Sequence, residues 1–141
     1  MSPKARHKAR SFAMQAIYQW SHTGDTLSQI EAQYLVANAH HKVDWEFFKG
    51  LLHGVPANLT EIDEHISTAS SDRSVKEINP VELAILRLAI FEFMHRIDVP
   101  YKVVINEYVD LGHTFGAEEG HKYVNGVLDK VAKQTRQTET R

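Results

Sequence analysis

Basic side chains open this chain, and a tyrosine follows them about two helical turns later. The basic residues are Lys4, Arg6, Lys8 and Arg10, and the aromatic residue is Tyr18. Phosphate binding requires such a row of cations, and single-stranded nucleic acid also stacks its bases on aromatic rings, at about 1–3 kcal/mol per base. The pattern therefore predicts a contact with single-stranded nucleic acid. The alternative is a solvated basic face, with Tyr18 packed against another helix.

The net charge of −2 conceals an asymmetry between the start of the chain and the remainder. Residues 1–24 carry four bases and no acid, a charge of +4. The remainder carries 12 Lys and Arg against 18 Asp and Glu, a charge of −6. A basic terminus on an acidic body indicates a local contact with a polyanion. On charge alone, a face that serves only solubility fits equally well.

A helix over residues 3–20 would arrange these side chains around an apolar stripe. At about 100° per residue, the two lysines flank the stripe on one side and the two arginines flank it on the other. Tyr18 and Met14 fall between those flanks, on the side away from the stripe. The stripe consists of Ala5, Ala9, Phe12, Ala13, Ala16 and Trp20. Tyr18 is therefore predicted to project from a basic face.

The rest of the sequence offers little chemistry for catalysis or metal binding. The chain has no cysteine, which excludes disulfides and thiolate sites and is compatible with a reducing cytoplasm. His40 and His41 are adjacent, whereas the usual two-histidine zinc signature needs i,i+4 spacing. No Walker loop, nucleophile elbow or dinucleotide-binding glycine pattern occurs. We expect a cytoplasmic protein that is not an enzyme, with no cofactor, metal or membrane segment.

The segment Asn79–His95 is predicted to be the central helix. Asn79 suits the N-cap, Pro80 suits the first helical position, and Glu82 stands where a capping-box carboxylate would reach back to the cap. The few polar residues recur every five positions, which scatters them around the helix. Because a helix that is apolar nearly all round is buried, we expect this one to lie in the core.

Helical periodicity continues on both sides of the central segment, with no run of strand character. It predicts a long third helix that Asp44 caps and that runs for about six turns to Ile66. A kink is expected between Leu52 and Pro56, since proline deletes a helical hydrogen bond.

The serine-rich stretch 67–74 is interpreted as the joint between two helical halves. The N-terminal half covers about 1–68 and the C-terminal half about 75–134. Gly126 lies inside the last helix, where glycine costs about 1 kcal/mol, and is expected to allow close helix–helix approach. The polar tail that begins at Gln134 is expected to fray.

Three long blocks of the chain carry a family resemblance. They are ARHKARSFAMQAIYQW at Ala5–Trp20, ELAILRLAIFE at Glu82–Glu92, and DVPYKVVINEYVDLGHTFG with HKYVNGVLDKV between Asp98 and Val131. Together they resemble the bacterial transcription antitermination factor NusB family, essentially end to end. The resemblance implies one all-α domain over residues 1–141, with about seven helices in two perpendicular, packed bundles.

The resemblance also implies a non-catalytic role in processive antitermination. Family members bind the boxA element of nascent single-stranded RNA, above all in ribosomal RNA operons. They do so as a heterodimer with the tenth ribosomal protein of the small subunit, which joins an RNA polymerase elongation complex with other Nus factors. Relatives occur as monomers and as dimers, so a weak homodimer stays open.

The family's functional positions carry over to this chain residue by residue. The RNA-binding set is Lys4, Arg6, Lys8, Arg10, Tyr18, Glu119 and Tyr123, and the partner-binding set is Glu82, Arg87 and Tyr101. Glu119 matches an acidic position linked to RNA affinity, so Glu119→Gln is expected to tighten binding. The family's run of arginines is thinned here to Arg6-His7-Lys8, and lysine lacks the bidentate fork of arginine.

Other functions fit some of the same features. The chain could be a stand-alone relative of the helical RNA-binding domain of some RNA methyltransferases, which makes no demand for the ribosomal partner. It could also be a helical scaffold whose basic helix docks on an acidic protein. A DNA-binding regulator would need a short base-reading helix and a broader basic surface. Mixing the chain with RNA alone separates the scaffold from the RNA-binding functions.

Overall fold

The structure is a computed structural model that describes residues 2–141. Within that range it contains seven α-helices, a short 3-10 helix at Val75–Glu77 and no strand, which confirms the predicted all-α fold. None of the described helices is both long and apolar enough to cross a membrane. The α-helices are α1 (Pro3–His22), α2 (Leu27–Ala37), α3 (Trp45–Ala57), α4 (Leu59–Ala69), α5 (Pro80–His95), α6 (Tyr101–Phe115) and α7 (Gly120–Thr135).

The chain forms two compact units, and the first of them ends at Ala57. In this unit α1 packs against both α2 and α3. The buried face of α1 consists mainly of small side chains, which allow the helices to approach closely: Ala5, Ala9, Ala13 and Ala16. Large side chains of α3 fill the core opposite them: Phe48, Leu51, Leu52 and Val55. The core of the first unit is therefore built by helices that contact one another directly.

The second unit, Asn58–Arg141, is organised around α5. This helix contacts α4, α6 and α7, and its middle is buried on every side. The side chain of Asn79 accepts hydrogen bonds from the N–H groups of Val81 (2.9 Å) and Glu82 (3.3 Å), as expected of an N-cap. Inside the core, the Tyr108 hydroxyl donates to the carboxylate of Glu92. The prediction of a central core helix is confirmed.

The long third helix of the prediction is in fact two helices. The chain leaves helical geometry at Asn58, between α3 and α4, so the break follows Pro56 instead of being a kink before it. The boundary between the compact units falls at this break. The stretch 67–74, expected to be the joint, instead completes α4 at Ala69 and leads into the 3-10 helix within the second unit.

The prediction that the tail frays from Gln134 is wrong. Helix α7 continues to Thr135, and the side chain of Arg136 is only 5% exposed. Its guanidinium donates to the carbonyl oxygens of Glu92 and Phe93, in the last turn of α5, at 3.2 and 2.8 Å. A polar residue near the terminus therefore ties α7 to α5. The polar composition of the tail predicted fraying, because composition alone cannot reveal hydrogen bonds to residues distant in sequence.

The prediction of close helix packing at Gly126 is also wrong. A methyl group at this position would meet no other group within 4 Å, and the residue is exposed. We therefore expect Gly126→Ala to raise the free energy of unfolding by about 0.5–1 kcal/mol, since alanine loses less backbone entropy on folding. Urea denaturation monitored by circular dichroism measures the change.

Gly120 provides the contrasting substitution on the same helix. A Cβ there would lie 2.2 Å from a carboxylate oxygen of Glu82, a side chain that is itself buried. Gly120→Ala is therefore expected to lower the free energy of unfolding. If Gly126→Ala lowered the free energy of unfolding as Gly120→Ala is expected to do, the open surroundings assigned to Gly126 would be contradicted.

Candidate nucleic-acid interface

The two lysines of α1 lie at an open edge of the first unit. Ser2 caps the helix by accepting a hydrogen bond from the N–H of Ala5 (3.1 Å), and Lys4 in the first turn is exposed. One turn later, the Nζ of Lys8 lies 3.2 Å from Nδ1 of His41. Burial lowers the pKa of His41, and the charge of Lys8 lowers it further. A neutral imidazole can accept this hydrogen bond, which leaves the positive charge on Lys8.

The two arginines of α1 face α3 instead of solvent. The guanidinium carbons of Arg6 and Arg10 lie 4.5 and 4.9 Å from the ring centre of Phe47, as in cation–π contacts. Arg6 also pairs with Asp44, with 3.5 Å between Nε and Oδ2. Arg10, which the family resemblance placed in the RNA-binding set, is only 2% exposed. Met14, which falls between the two flanks, is buried too.

Tyr18 remains accessible, as predicted. Its side chain is 38% exposed, and its ring stacks on that of His22, with 4.3 Å between ring centres. The carbonyl of Tyr18 lies 2.8 Å from Nδ1 of His22 and helps to fix that ring. The helix therefore presents an aromatic plane, supported by His22, about three to four turns beyond the lysines.

Lys42 is a basic residue that sequence reasoning missed. It lies beside Lys4 and Lys8, and the three lysines line a cavity of about 250 Å³ together with Ser2 and Ala5. Lys42 follows α2 in the chain, so helical periodicity along α1 could not reveal it. The only sequence signal was an isolated lysine within a polar joint.

In the second unit, three of the predicted residues surround a larger cavity. Glu82, Glu119 and Tyr123 contribute to its lining, and its volume is about 380 Å³. Glu82 is buried, and its Oε2 accepts a hydrogen bond from the N–H of Ala117 at 3.3 Å. Glu82 therefore holds the turn between α6 and α7 in place. The carboxylate of Glu82 was predicted to cap the start of α5, but it instead makes this contact with a residue distant in sequence.

The ring of Tyr123 is held by two residues that the prediction did not include. Its hydroxyl hydrogen bonds with Ser70, and the guanidinium carbon of Arg73 lies 4.2 Å from the ring centre. Both residues come from the serine-rich stretch that was interpreted as a joint. That stretch therefore brings a planar cation, Arg73, to the cavity that Tyr123 lines. Arginine planes, like aromatic rings, can stack against bases.

Glu119 occupies an unusual backbone position at the start of α7. It has a φ of 67°, in the left-handed region. Its Oε2 lies 2.6 Å from the Nζ of Lys122, one turn into the helix, and both side chains are largely exposed. The carboxylate therefore adds negative charge to the cavity and also neutralises a neighbouring lysine.

The residues predicted for partner binding differ in how far they are buried. Arg87 is 9% exposed and makes two hydrogen bonds of 3.0 Å to the carboxylate of Asp63, so it joins α5 to α4. Tyr101 is half-buried at the start of α6, and its N–H donates to Oε2 of Glu139 at 2.9 Å. Of these two, only Tyr101 presents side-chain surface to a partner.

Comparison with known proteins agrees with this architecture. The NusB family model matches residues 7–133. The chain belongs to the NusB family. Curated relatives named transcription antitermination protein NusB include that of Alcanivorax borkumensis, which is 53% identical over 98% of this chain and 91% of its own length. That of Idiomarina loihiensis is 49% identical over 98% of this chain and 99% of its own. The predicted family resemblance is confirmed.

Solved NusB structures share the fold. A NusB structure from T. maritima superposes with a TM-score of 0.81 at 28% identity, over 92% of this chain and 91% of that one. A structure of the antitermination factors NusB and NusE in complex with dsRNA gives a TM-score of 0.84 at 25% identity, over 94% and 99%. The curated relatives are named for antitermination, which agrees with the prediction of a protein that is not an enzyme.

Within this NusB-family chain, each unit gathers part of the predicted set. The first unit places Lys4, Lys8 and Tyr18 along accessible parts of α1, and the second places Glu119 and Tyr123 around one cavity. Cations for phosphate and planes for stacking are the groups that bind single-stranded nucleic acid. No described residues form a group of three His, Asp or Glu side chains that could hold a metal ion.

Proposed function

We propose that this protein is a non-catalytic transcription antitermination factor that binds the boxA element of ribosomal RNA operons. It does so with the tenth ribosomal protein of the small subunit. Family membership supports the antitermination role. The observation that carries the proposal is the similarity over nearly the whole chain to NusB in complex with NusE and dsRNA.

In this proposal, Lys4 and Lys8 neutralise RNA phosphates, and Tyr18 and Tyr123 stack with bases. Arg6 and Arg10 are packed against Phe47, so they contribute positive potential and hold the start of α1 in place. Direct contact with RNA would require Arg6 to leave Asp44. The lysines therefore take the place of the thinned arginine run on the accessible side of the helix.

The ribosomal partner and the transcription complex complete the proposed assembly. Tyr101 is proposed as a partner contact, and Glu82 and Arg87 are proposed to act indirectly, through the elements they hold together. The RNA-bound pair would then join an RNA polymerase elongation complex with other Nus factors. A stable pair would keep the nascent boxA segment attached to the polymerase during elongation.

Fluorescence anisotropy with a boxA-like single strand and a scrambled control tests this function. The measurement is made with and without the ribosomal partner, across a salt series. If about four phosphates are neutralised, the log–log salt slope should be about −3. Selective binding that the partner strengthens would support the proposal. Equal binding of both RNAs without a partner effect would contradict it and favour the scaffold function.

Glu119→Gln is expected to tighten RNA binding by about two- to fivefold. The substitution removes a negative charge from the Tyr123 cavity and releases Lys122 from its ion pair. Because glutamine keeps the shape of glutamate, the left-handed backbone at this position is disturbed little. Anisotropy at fixed salt measures the change in Kd.

Glu118→Gln is the matched control for this substitution. Glu118 lines the same cavity, so its replacement removes the same charge but leaves the Glu119–Lys122 pair intact. We expect a smaller gain in affinity than with Glu119→Gln. An unchanged or weaker affinity of the Glu119→Gln protein would contradict the role assigned to Glu119.

A further inference from the structure

Three lysines line the cavity at the start of α1, and the contacts described so far give no reason for bringing these like charges together. Lys4 and Lys8 come from α1, and Lys42 comes from the segment that joins α2 to α3. Among residues 2–141, no acidic side chain lines the cavity, and the other lining residues are Ser2 and Ala5. Three ammonium groups around one space repel one another in the absence of an anion. An anion would relieve that repulsion.

The position of Lys42 is fixed by its neighbours in the chain. The N–H of Asp44 donates to the carbonyl of Ala5 at 3.2 Å, which attaches this segment to the first turn of α1. Val43, between Lys42 and Asp44 in the chain, is buried in the core. Lys42 therefore projects from an anchored backbone and not from a mobile loop. The cavity is built by contacts between distant parts of the chain.

The acid nearest to the lysines in sequence is already engaged elsewhere. One carboxylate oxygen of Asp44 accepts from the N–H of Phe47 at 3.1 Å, which caps α3, and the other pairs with Arg6. Asp44 thus balances the arginine side of α1 and leaves the lysine side uncompensated. Nδ1 of His41 accepts a hydrogen bond from the ammonium group of Lys8 (3.2 Å). This contact orients the ammonium group but does not neutralise its charge.

We propose that Lys4, Lys8 and Lys42 form a pocket for one backbone phosphate of the bound RNA. The proposal rests on the RNA-binding function proposed above and adds Lys42 as a ligand. The N-terminus of α1 contributes its partial positive charge to the same region. The cavity is smaller than the roughly 300–1,000 Å³ of typical small-molecule sites, and about 250 Å³ suits a phosphate with its ribose.

Lys42→Gln tests the pocket, measured by anisotropy with the boxA-like strand and no protein partner. We expect Kd to rise about five- to tenfold, because a charge-assisted contact to phosphate is lost. The log–log salt slope should become shallower by less than about 0.7, the value for one phosphate of a single strand, because Lys4 and Lys8 still face the same phosphate. Lys42 is exposed, so the thermal stability of the variant should be unchanged.

Lys49→Gln is the matched control in the same unit. It removes the same charge from α3, where Lys49 lies 3.8 Å from Glu46 and does not line the cavity. We expect less than a twofold change in Kd. If the two variants weakened RNA binding equally, the loss would be due to the change in net charge alone, and the proposed phosphate pocket would be contradicted.

A neutral methylphosphonate placed at one linkage after another identifies the phosphate. At the linkage that occupies the pocket, the wild type and Lys42→Gln should bind with equal affinity, since the charge that distinguishes them is gone. A constant difference at every linkage would overturn the proposal. So would a Lys42→Gln protein that bound RNA normally but bound the ribosomal partner weakly, which would assign the cavity to a protein carboxylate. Failure of the wild type to bind boxA selectively would instead refute the proposed function itself.

Discussion

Replacing Arg136 with methionine is expected to lower the free energy of unfolding by about 3–5 kcal/mol. The guanidinium donates to the carbonyls of Val99 (2.9 Å) and Arg96 (3.0 Å) as well as to those at the end of α5. It also pairs with Glu139 at 2.5 Å. Methionine fills similar space but leaves several carbonyl groups without donors in a buried site. Urea denaturation monitored by circular dichroism would show the loss.

Two further variants identify the cause of that loss. Arg136→Lys keeps the charge, yet an ammonium group cannot reproduce the planar arrangement of five donors, so we expect it to recover only part of the stability. Arg96→Met makes the same exchange at a site where the side chain pairs with Asp98 and is 32% exposed. We expect a loss below about 1 kcal/mol there. Equal losses at the two arginines would contradict the role of Arg136 as a connection between helices.

Arg136 also connects to the start of α6. The N–H of Tyr101 holds the pKa of Glu139 below its usual range, and Arg136 lowers it further. The carboxylate of Glu139 thus attaches the start of α6 to the residues after α7. Loss of Arg136 is therefore expected to affect the surroundings of Tyr101 as well as overall stability.

The predicted features that the structure confirms are those determined by local sequence. Asn79 and Pro80 define the start of α5 through backbone geometry within one turn, and the spacing of apolar residues defines its burial. Gly126 and Arg136 were misinterpreted because their surroundings come from other helices. A glycine inside a helix has the same local sequence whether it faces another helix or solvent.

The candidate site was predictable in part for the same reason. Helical periodicity placed the lysines and arginines of α1 on opposite flanks, but the side covered by α3 depends on Phe47, which is distant in sequence. It therefore identified Tyr18 as accessible but could not show that Arg10 is buried. Lys42 and Arg73 were missed because each reaches its cavity from a connecting segment without periodicity.

Tyr18→Ala is expected to weaken binding of the boxA-like strand by roughly 5- to 150-fold, equivalent to the 1–3 kcal/mol of one stacked base. One face of the ring stacks on His22, so a base would stack on the other face. Tyr18→Phe retains the aromatic plane and should bind nearly as well as the wild type. Anisotropy at fixed salt gives both values.

The pair of variants at position 18 separates stacking from simple loss of structure. Tyr18 is 38% exposed and its ring contacts His22 near the end of α1, so its replacement by alanine should lower the unfolding midpoint only slightly, and most of the loss should lie in the RNA complex. Tyr101→Ala, in the other unit, should weaken binding of the ribosomal partner and leave binding of RNA alone unaffected. If Tyr18→Ala bound RNA as tightly as Tyr18→Phe, the lysines alone would account for recognition at α1, and base stacking would have to be assigned to the Tyr123 cavity.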